Sequence, residues 1–228
     1  MRSRVPVSDR RRRGQGGNEI IEFGLLSLLL VPTLIYMFVS GMNLIRLNQG
    51  TQVSRDIGDL FIHGIDFSTF DAQSLSARLA QGFNLQVGSF YSGNNAANDG
   101  NGGNGLVLLS QVMYIGAGAC SALPAGTGCT NQNQYVFTRR LSFGNKGLQF
   151  NGTTVTSALG TPTASINSAG YVQSYLTDAR AVCPNIGNLF ATQLADQQVA
   201  YVTETFFSSP DLTFSAIPGG GIYSRLLM

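Results

Sequence analysis

The sequence has little of what most catalytic and metal sites require. It contains no tryptophan and one histidine, His63, and only 11% of its residues are charged. A single histidine without companions makes neither a convincing zinc site nor a catalytic triad. The sequence also has no GxSxG, HExxH or Walker motif. We therefore expect a protein that is not an enzyme and that holds no metal and no cofactor.

The few charges are unevenly placed along the chain. Six arginines and one aspartate lie in the first 13 residues, whereas eight Lys and Arg face nine Asp and Glu after Ile45. Because the basic residues are confined to the N-terminal arm, the folded remainder offers no basic face, and we expect no nucleic-acid partner. Next to an apolar segment, arginines indicate that this end stays in the cytoplasm.

That apolar segment is the longest feature of the sequence. From Phe23 to Ile45 there are 23 residues without a charge. At about 1.5 Å per residue such a helix is about 34 Å long, enough to cross a hydrocarbon core of about 30 Å. Val53, Ile57 and Phe61 then recur on one helix face, so the helix is predicted to continue beyond the bilayer. We divide the chain into a cytoplasmic leader (1–17), a transmembrane and extended helix (18–65) and an extracytoplasmic head (66–228).

The head is predicted to be β-rich, which makes the fold class α+β with a small antiparallel sheet. Strand patterns occupy residues 106–115, 134–143, 199–207 and the last segment, 219–228. A short helix is predicted from an N-cap at Asp71 to a stop at Gly82, with Leu75 and Leu79 on one face. Residues 168–180 are also interpreted as helical. The Gly/Asn-rich stretch 92–105 contains one carboxylate, Asp99, too few for a calcium loop, and is interpreted as a surface insertion.

Three cysteines lie in the predicted head. Cys120 and Cys129 bracket a Pro/Gly loop between two predicted strands, which favours a disulfide across the turn of a hairpin. The third, Cys183, is left over by this pairing. Cys183 is also an alternative partner for Cys120 or Cys129, and the sequence leaves that choice open.

The start of the apolar segment resembles the processing site of a pilin family. Gly17 and Asn18 are followed by Glu22 and Phe23, and then by the apolar run. This order is similar to that in TadE-like proteins, the pilins and pseudopilins of tight-adherence (Flp-type IVb) pili. The resemblance implies that prepilin peptidase cuts after Gly17, so that the mature chain begins at Asn18. It also implies that Glu22 is an assembly carboxylate that pairs with the N-terminus of a neighbouring subunit.

A second register of the same motif exists. Gly14 is followed five residues later by Glu19, just as Gly17 is followed by Glu22. We prefer the register of Gly17, because the aromatic residue Phe23 and the apolar run follow its glutamate. The late strand, V-x-E-x-F-F at 202–207, and the Y-S-R at 223–225 also resemble TadE-type proteins. Residues 84–196 match no pattern of the family.

The resemblance implies a function, a location and a set of partners. It predicts a minor pilin with a pilin-like head, held in the inner membrane by a single pass, with a cytoplasmic N-terminus and a periplasmic or extracellular C-terminal domain. Its partners would be prepilin peptidase, other Tad/Flp pilins, the inner-membrane assembly platform and the membrane. Two alternatives from other classes are a signal-anchored binding or adhesion domain that never enters a pilus, and a membrane-anchored periplasmic enzyme. A cleaved secretory signal with a site near Ser40-Gly41 is a further alternative for the N-terminus.

Overall fold

The computed structural model describes residues 16–88, 90, 103–150, 152–189, 194–208 and 221–228. They form an α+β protein with one long apolar N-terminal helix and a small antiparallel sheet, as predicted. Contacts within the chain divide it into two units, residues 1–43 and 44–228. The sheet belongs entirely to the second unit.

The first helix, α1, extends from Gly16 to Ile62 and contains Pro32. Every large apolar side chain from Ile20 to Phe38 is exposed. The helix is long and apolar enough to cross a membrane, and its apolar window is not buried anywhere in the structure. Further along, Val53, Ile57 and Phe61 are buried in the core of the second unit. One helix therefore carries an exposed apolar stretch and then a one-sided core stripe.

The second helix, α2, spans Phe70–Gly82. Its N-cap is Thr69 rather than Asp71, which lies in the first turn instead. The face that it buries is made of small and polar residues, and Leu75 is 43% exposed. The prediction of this helix is therefore correct in its extent, but Leu75 does not mark its core face. The buried residues of α2 are Ala72, Gln73, Ser76, Ala77 and Ala80.

The main sheet has four antiparallel strands in the order β2-β1-β5-β6. Their bounds are β1 Gly105–Ile115, β2 Gln134–Gly144, β5 Val199–Ser208 and β6 Gly221–Leu227. All four predicted strands are present; the ends of the first three differ by at most one residue, and residues 219–220, the start of the fourth, lie outside the described residues. The remaining regular elements of the described residues are a two-stranded ribbon, β3 Gln149–Phe150 with β4 Thr153–Thr154, a short helix, α3 Ala117–Ser121, and two 3₁₀ turns, Ala179–Ala181 and Ile186–Leu189.

Residues 168–180 are not helical, contrary to the sequence-based prediction. The chain there makes turns and single β-bridges, pairing Tyr171 with Arg139 and Val172 with Ile166, before a 3₁₀ turn at Ala179–Ala181. Gly170 has a φ of +85° and Ser174 a φ of +54°, values outside the helical region. The backbone N–H of Tyr171 donates to the Asn167 side chain, which offers the chain a turn in place of a helix.

The sheet is covered on both faces. On one face α1 and α2 pack against Val107, Leu109, Leu141, Phe143, Phe207 and Ile222. On the other face, residues 148–186 supply Leu148, Leu159, Ala164, Val172, Ala181 and Ile186 against strand residues that include Leu106, Val112, Val136, Val202 and Phe206. Because successive residues of a strand point to opposite faces, Leu106 and Phe206 enter one core, whereas their neighbours Val107 and Phe207 enter the other.

The disulfide predicted across the first hairpin is present. Cys120 and Cys129 are bonded, with Cα atoms 5.6 Å apart, and Cys183 is a buried free thiol. The bridge closes the connection between β1 and β2, which includes α3. Asp196 holds this connection from outside, because its carboxylate accepts hydrogen bonds from the backbone N–H groups of Gly116, Gly118 and Ala119.

Candidate functional site

The residues that the sequence singles out at the N-terminus lie at the start of α1. The bond between Gly17 and Asn18 is within the first turn of the helix, which begins at Gly16. Glycine disfavours helix by about 1 kcal/mol relative to alanine, so Gly16 and Gly17 lower the helix propensity of this turn.

Glu22 and Phe23 lie one turn further along α1. Both side chains are exposed, and so is Glu19, the glutamate of the alternative register. The apolar side chains that follow are also exposed, from Leu25 onward. A carboxylate beside so large an uncovered apolar surface is costly in lipid unless it finds a partner of opposite charge.

The continuation of α1 contacts the sheet through its smallest residues. Gly50, Ser54 and Gly58 follow one another at intervals of four, which places them on one side of the helix. A Cβ atom at Gly50 would lie 2.6 Å from Cγ2 of Ile222, on β6. At Gly58 a Cβ atom would lie 2.9 Å from Oγ1 of Thr203, on β5. A Cβ atom at either position would force a side chain of β5, β6 or the C-terminus to shift, so glycine permits this close approach.

Between the two glycines, the contact is polar. The buried hydroxyls of Ser54 and Thr205 share a hydrogen bond, and Ser54 also donates to the Gly50 carbonyl oxygen. The small-xxx-small spacing of Gly50, Ser54 and Gly58 was the signal for this contact. The predicted core stripe of Val53, Ile57 and Phe61 did not include these three smaller residues, so the contact was missed.

A clamp of opposite charges fixes the end of α1 to the sheet. Arg139 of β2 makes a 2.7 Å ion pair with Asp66, just after α1. Its guanidinium also lies 5.6 Å from the centre of the Phe61 ring and 4.7 Å from that of Tyr171, both within cation–π range. Burial opposes ionisation of Asp66, but hydrogen bonds from Ser68 and the charge of Arg139 outweigh it and lower the pKa of this carboxyl.

The next residue, Arg140, points to the opposite face and enters a buried polar cluster. Its guanidinium lies 3.7 Å from the Glu204 carboxylate and donates to the Ser110 hydroxyl. Glu204 also accepts hydrogen bonds from the Ser157 hydroxyl, from the Ala158 N–H at 2.9 Å and from the Tyr223 hydroxyl at 3.1 Å. Burial lowers the pKa of Arg140, and Glu204 opposes that shift.

This cluster is built to hold the fold together. Glu204 is fully buried, and both of its oxygens accept hydrogen bonds from within the protein. It therefore joins β5 to β2, to β6 and to the segment that follows β4. Desolvation and the nearby Glu204 charge raise the pKa of Tyr223 to about 12, so the phenol stays protonated and donates at neutral pH. The signal in the sequence was the presence of charged residues, Arg139 and Arg140 in β2 and Glu204 in β5, within strands that are otherwise uncharged.

The other candidate positions carry no convergent chemistry in the described residues. A groove of about 480 Å³ follows the outer face of α2 and includes Asp71 and Arg78, which are seven residues, or about 10 Å, apart along the helix. His63 is exposed and contacts the Asp59 carbonyl oxygen one turn earlier. Among the described residues there is no group of three or more His, Cys, Asp and Glu that would hold a metal. The expectation that the protein is not an enzyme stays a prediction.

Two other positions have a defined environment. Burial raises the pKa of the Cys183 thiol to about 12, so this side chain is uncharged at neutral pH. Asn104, at the edge of the proposed surface insertion, donates to the carbonyl oxygens of Leu85 and Ser208 and accepts from the Val87 N–H. It therefore ties the loop after α2 to β5. Residues 92–102 of the insertion, including Asp99, lie outside the described residues.

Comparisons of the chain with protein-family models, with curated proteins and with solved structures gave no match.

Proposed function

We propose that this protein is a minor pilin or pseudopilin of a tight-adherence (Flp-type IVb) pilus, processed by prepilin peptidase behind Gly17. The observation that carries the proposal is the arrangement of α1. Its first half is an exposed apolar helix with Glu22 near its start, and its second half is built into a folded head. A pilin needs both features, because the exposed half must exchange lipid for neighbouring helices while the head remains folded.

The transfer from membrane to fibre is physically reasonable for such a helix. The apolar side chains between Ile20 and Phe38 would contact lipid before assembly and the helices of neighbouring subunits afterwards, and both environments keep them from water. Glu22 would gain a partner in the fibre, namely the α-amino group at Asn18 of a neighbouring subunit. Two opposite charges that are each costly in an apolar medium become tolerable when they meet.

The head is proposed to lie outside the inner membrane, with residues 1–17 in the cytoplasm. The arginines of the N-terminal arm support this orientation. The disulfide between Cys120 and Cys129 supports it independently, since such bridges persist in the oxidising periplasm and outside the cell. The partners would be prepilin peptidase, other pilins of the group and the membrane assembly platform.

The two glutamates provide the test of assembly. In cells that produce the pilus, Glu22→Ala should abolish incorporation or piliation, measured by shearing pili from the surface and quantifying them. Glu19→Ala is the matched control, because Glu19 is also exposed on α1, and it should leave piliation intact. Normal piliation with Glu22→Ala, at an unchanged protein level, would favour the signal-anchored binding domain instead.

A further inference from the structure

The loop after α2 lies beside the first charged residue that follows the apolar run. The run ends at Ile45, and Nη1 of Arg46 donates a hydrogen bond of 2.6 Å to the carbonyl oxygen of Phe83, the C-cap of α2. A helix rises about 1.5 Å per residue, so Phe83 lies within about one turn of the level at which the apolar run ends. The structure therefore brings residues 83–88 to the membrane-proximal end of the head.

This loop has a defined conformation. Asn84 has a φ of +56°, its N–H donates to the Gln81 carbonyl oxygen, and the Leu85 N–H donates to that of Ala80. These bonds form a Schellman motif, which ends α2. Leu85 is fully buried as the anchor of the loop, whereas Val87 is 64% exposed. The N–H of Val87 donates to the Asn104 side chain, which fixes the backbone at this exposed position.

Each helix carries an arginine close to Phe83: Arg46 donates to its carbonyl oxygen, and Arg78 precedes it by five residues. Arg46 and Arg78 lie at the end of the head near Phe83, and the sequence has no charged residue between Arg78 and Asp99. The nearest carboxylates of α1, Asp56 and Asp59, lie about 15 and 20 Å from Arg46 along the helix. An arginine pairs with a lipid phosphate through charge-assisted hydrogen bonds, whereas a carboxylate is repelled by it.

We propose that the 83–88 loop and Arg78 form a membrane-contacting surface, with Val87 inserted at the lipid interface and Arg78 at the headgroup phosphates. The occupant of this surface is the outer face of the bilayer that α1 crosses, because Arg46, which bonds to the loop at Phe83, is flanked on α1 by the exposed apolar residues Leu44, Ile45 and Leu47. The contact would hold the head in one orientation until α1 leaves the bilayer. It rests on the proposed function in one respect, namely that α1 spans the membrane.

The absence of tryptophan makes the test direct, since one introduced tryptophan is a unique fluorophore. Three single variants of the full chain would be reconstituted into vesicles that contain brominated phosphatidylcholine and anionic lipid. Val87→Trp reports on the loop, and Tyr36→Trp, within the apolar run, reports on the span. Tyr171→Trp is the control in the head: it is 48% exposed and lies by Arg139 near Phe61, which is about 22 Å along α1 from Arg46.

We expect bromine to quench Tyr36→Trp and Val87→Trp at least twofold more than Tyr171→Trp. Adding Arg78→Glu to Val87→Trp should reduce its quenching in anionic vesicles. If Tyr36→Trp is quenched but Val87→Trp is no more quenched than Tyr171→Trp, the proposed contact of the 83–88 loop with the bilayer is wrong, whereas α1 does span the membrane. If neither Tyr36→Trp nor Val87→Trp is quenched, α1 does not span the membrane, and the proposed function is wrong as well. Thermal unfolding of each variant establishes that the head is folded.

Discussion

Arg140 and Glu204 form a buried ion pair across the sheet, with 3.7 Å between the guanidinium and the carboxylate and with both side chains almost completely removed from water. The pair joins β2 to β5, the strands on either side of β1. Its surroundings compensate both charges: Arg140 donates to Ser110, and Glu204 accepts from Ser157, Ala158 and Tyr223. Such a pair is expected to define the arrangement of the fold more than to increase its stability.

Removing one partner of this pair should therefore be costly. Glu204→Leu leaves the Arg140 charge buried and unpaired, and we expect it to lower the free energy of unfolding of the head by about 3–5 kcal/mol. The double variant Arg140→Met/Glu204→Leu removes both charges and should recover a large part of this loss. Urea unfolding of the unsubstituted protein, of Arg140→Met, of Glu204→Leu and of the double variant gives the coupling free energy between the two side chains. If Glu204→Leu and the double variant lost the same free energy of unfolding, an unpaired Arg140 charge would not be the cause of the loss.

The close approach of α1 to the sheet predicts a sharp difference between two glycines. Gly50→Leu must displace Ile222, and overpacking of this kind costs about 1–3 kcal/mol. Gly82→Leu, in α2, is the matched control, because a Cβ atom there meets nothing within 4 Å. It should be neutral or stabilise the head by up to about 1 kcal/mol through helix propensity. If thermal unfolding showed similar losses of stability for Gly50→Leu and Gly82→Leu, the tight contact at Gly50 would be ruled out.

The clamp between Arg139 and Asp66 predicts a dependence of stability on acid pH. The pKa of Asp66 is lowered in the folded state from its ordinary value of 3.8, so the unfolded state takes up its proton first as pH falls. The stabilising contribution is fully present above pH 3.8 and is lost as pH falls through the lower pKa of the folded state. Asp66→Asn should flatten the stability profile in this window. An unchanged slope in Asp66→Asn would contradict the clamp.

The cysteines should differ in their reaction with iodoacetamide. In the oxidised native protein no thiol should be alkylated at neutral pH, because Cys183 is buried and its pKa is raised to about 12, while Cys120 and Cys129 are bonded. Unfolding without reductant should expose one thiol, and reduction three, as counted by mass spectrometry. Cys120→Ser/Cys129→Ser should lower the free energy of unfolding by about 2–3 kcal/mol. Alkylation of Cys120 or Cys129 in the oxidised chain would disprove the pairing.

The four strands could be predicted from the sequence because each is a run of β-branched, aromatic and other apolar residues with few charges. The stripe of Val53, Ile57 and Phe61 could also be predicted, because its spacing matches the period of a helix. Both are local patterns, in which the side chains report the environment that the backbone will have. The disulfide was accessible as well, because Cys120 and Cys129 lie on either side of one hairpin connection.

The features that were missed depend on contacts between distant parts of the chain. The core face of α2 is small because the space beside it is already filled by Phe67 and its neighbours, so alanines fit where Leu75 does not. The turn at 167–174 depends on a side-chain hydrogen bond of Asn167 that helix propensities do not include. Likewise, Arg140 and Glu204 are 64 positions apart, and nothing local pairs them.

The identity of the first residue of the mature protein tests the central claim most directly. The protein would be isolated from its native membrane and its N-terminal residue determined by Edman degradation or by mass spectrometry of the terminal peptide. The account predicts a chain that begins at Asn18, with Glu22 as its fifth residue. An intact N-terminus, or a cut near Gly41, would contradict prepilin processing and leave a signal-anchored or secreted head.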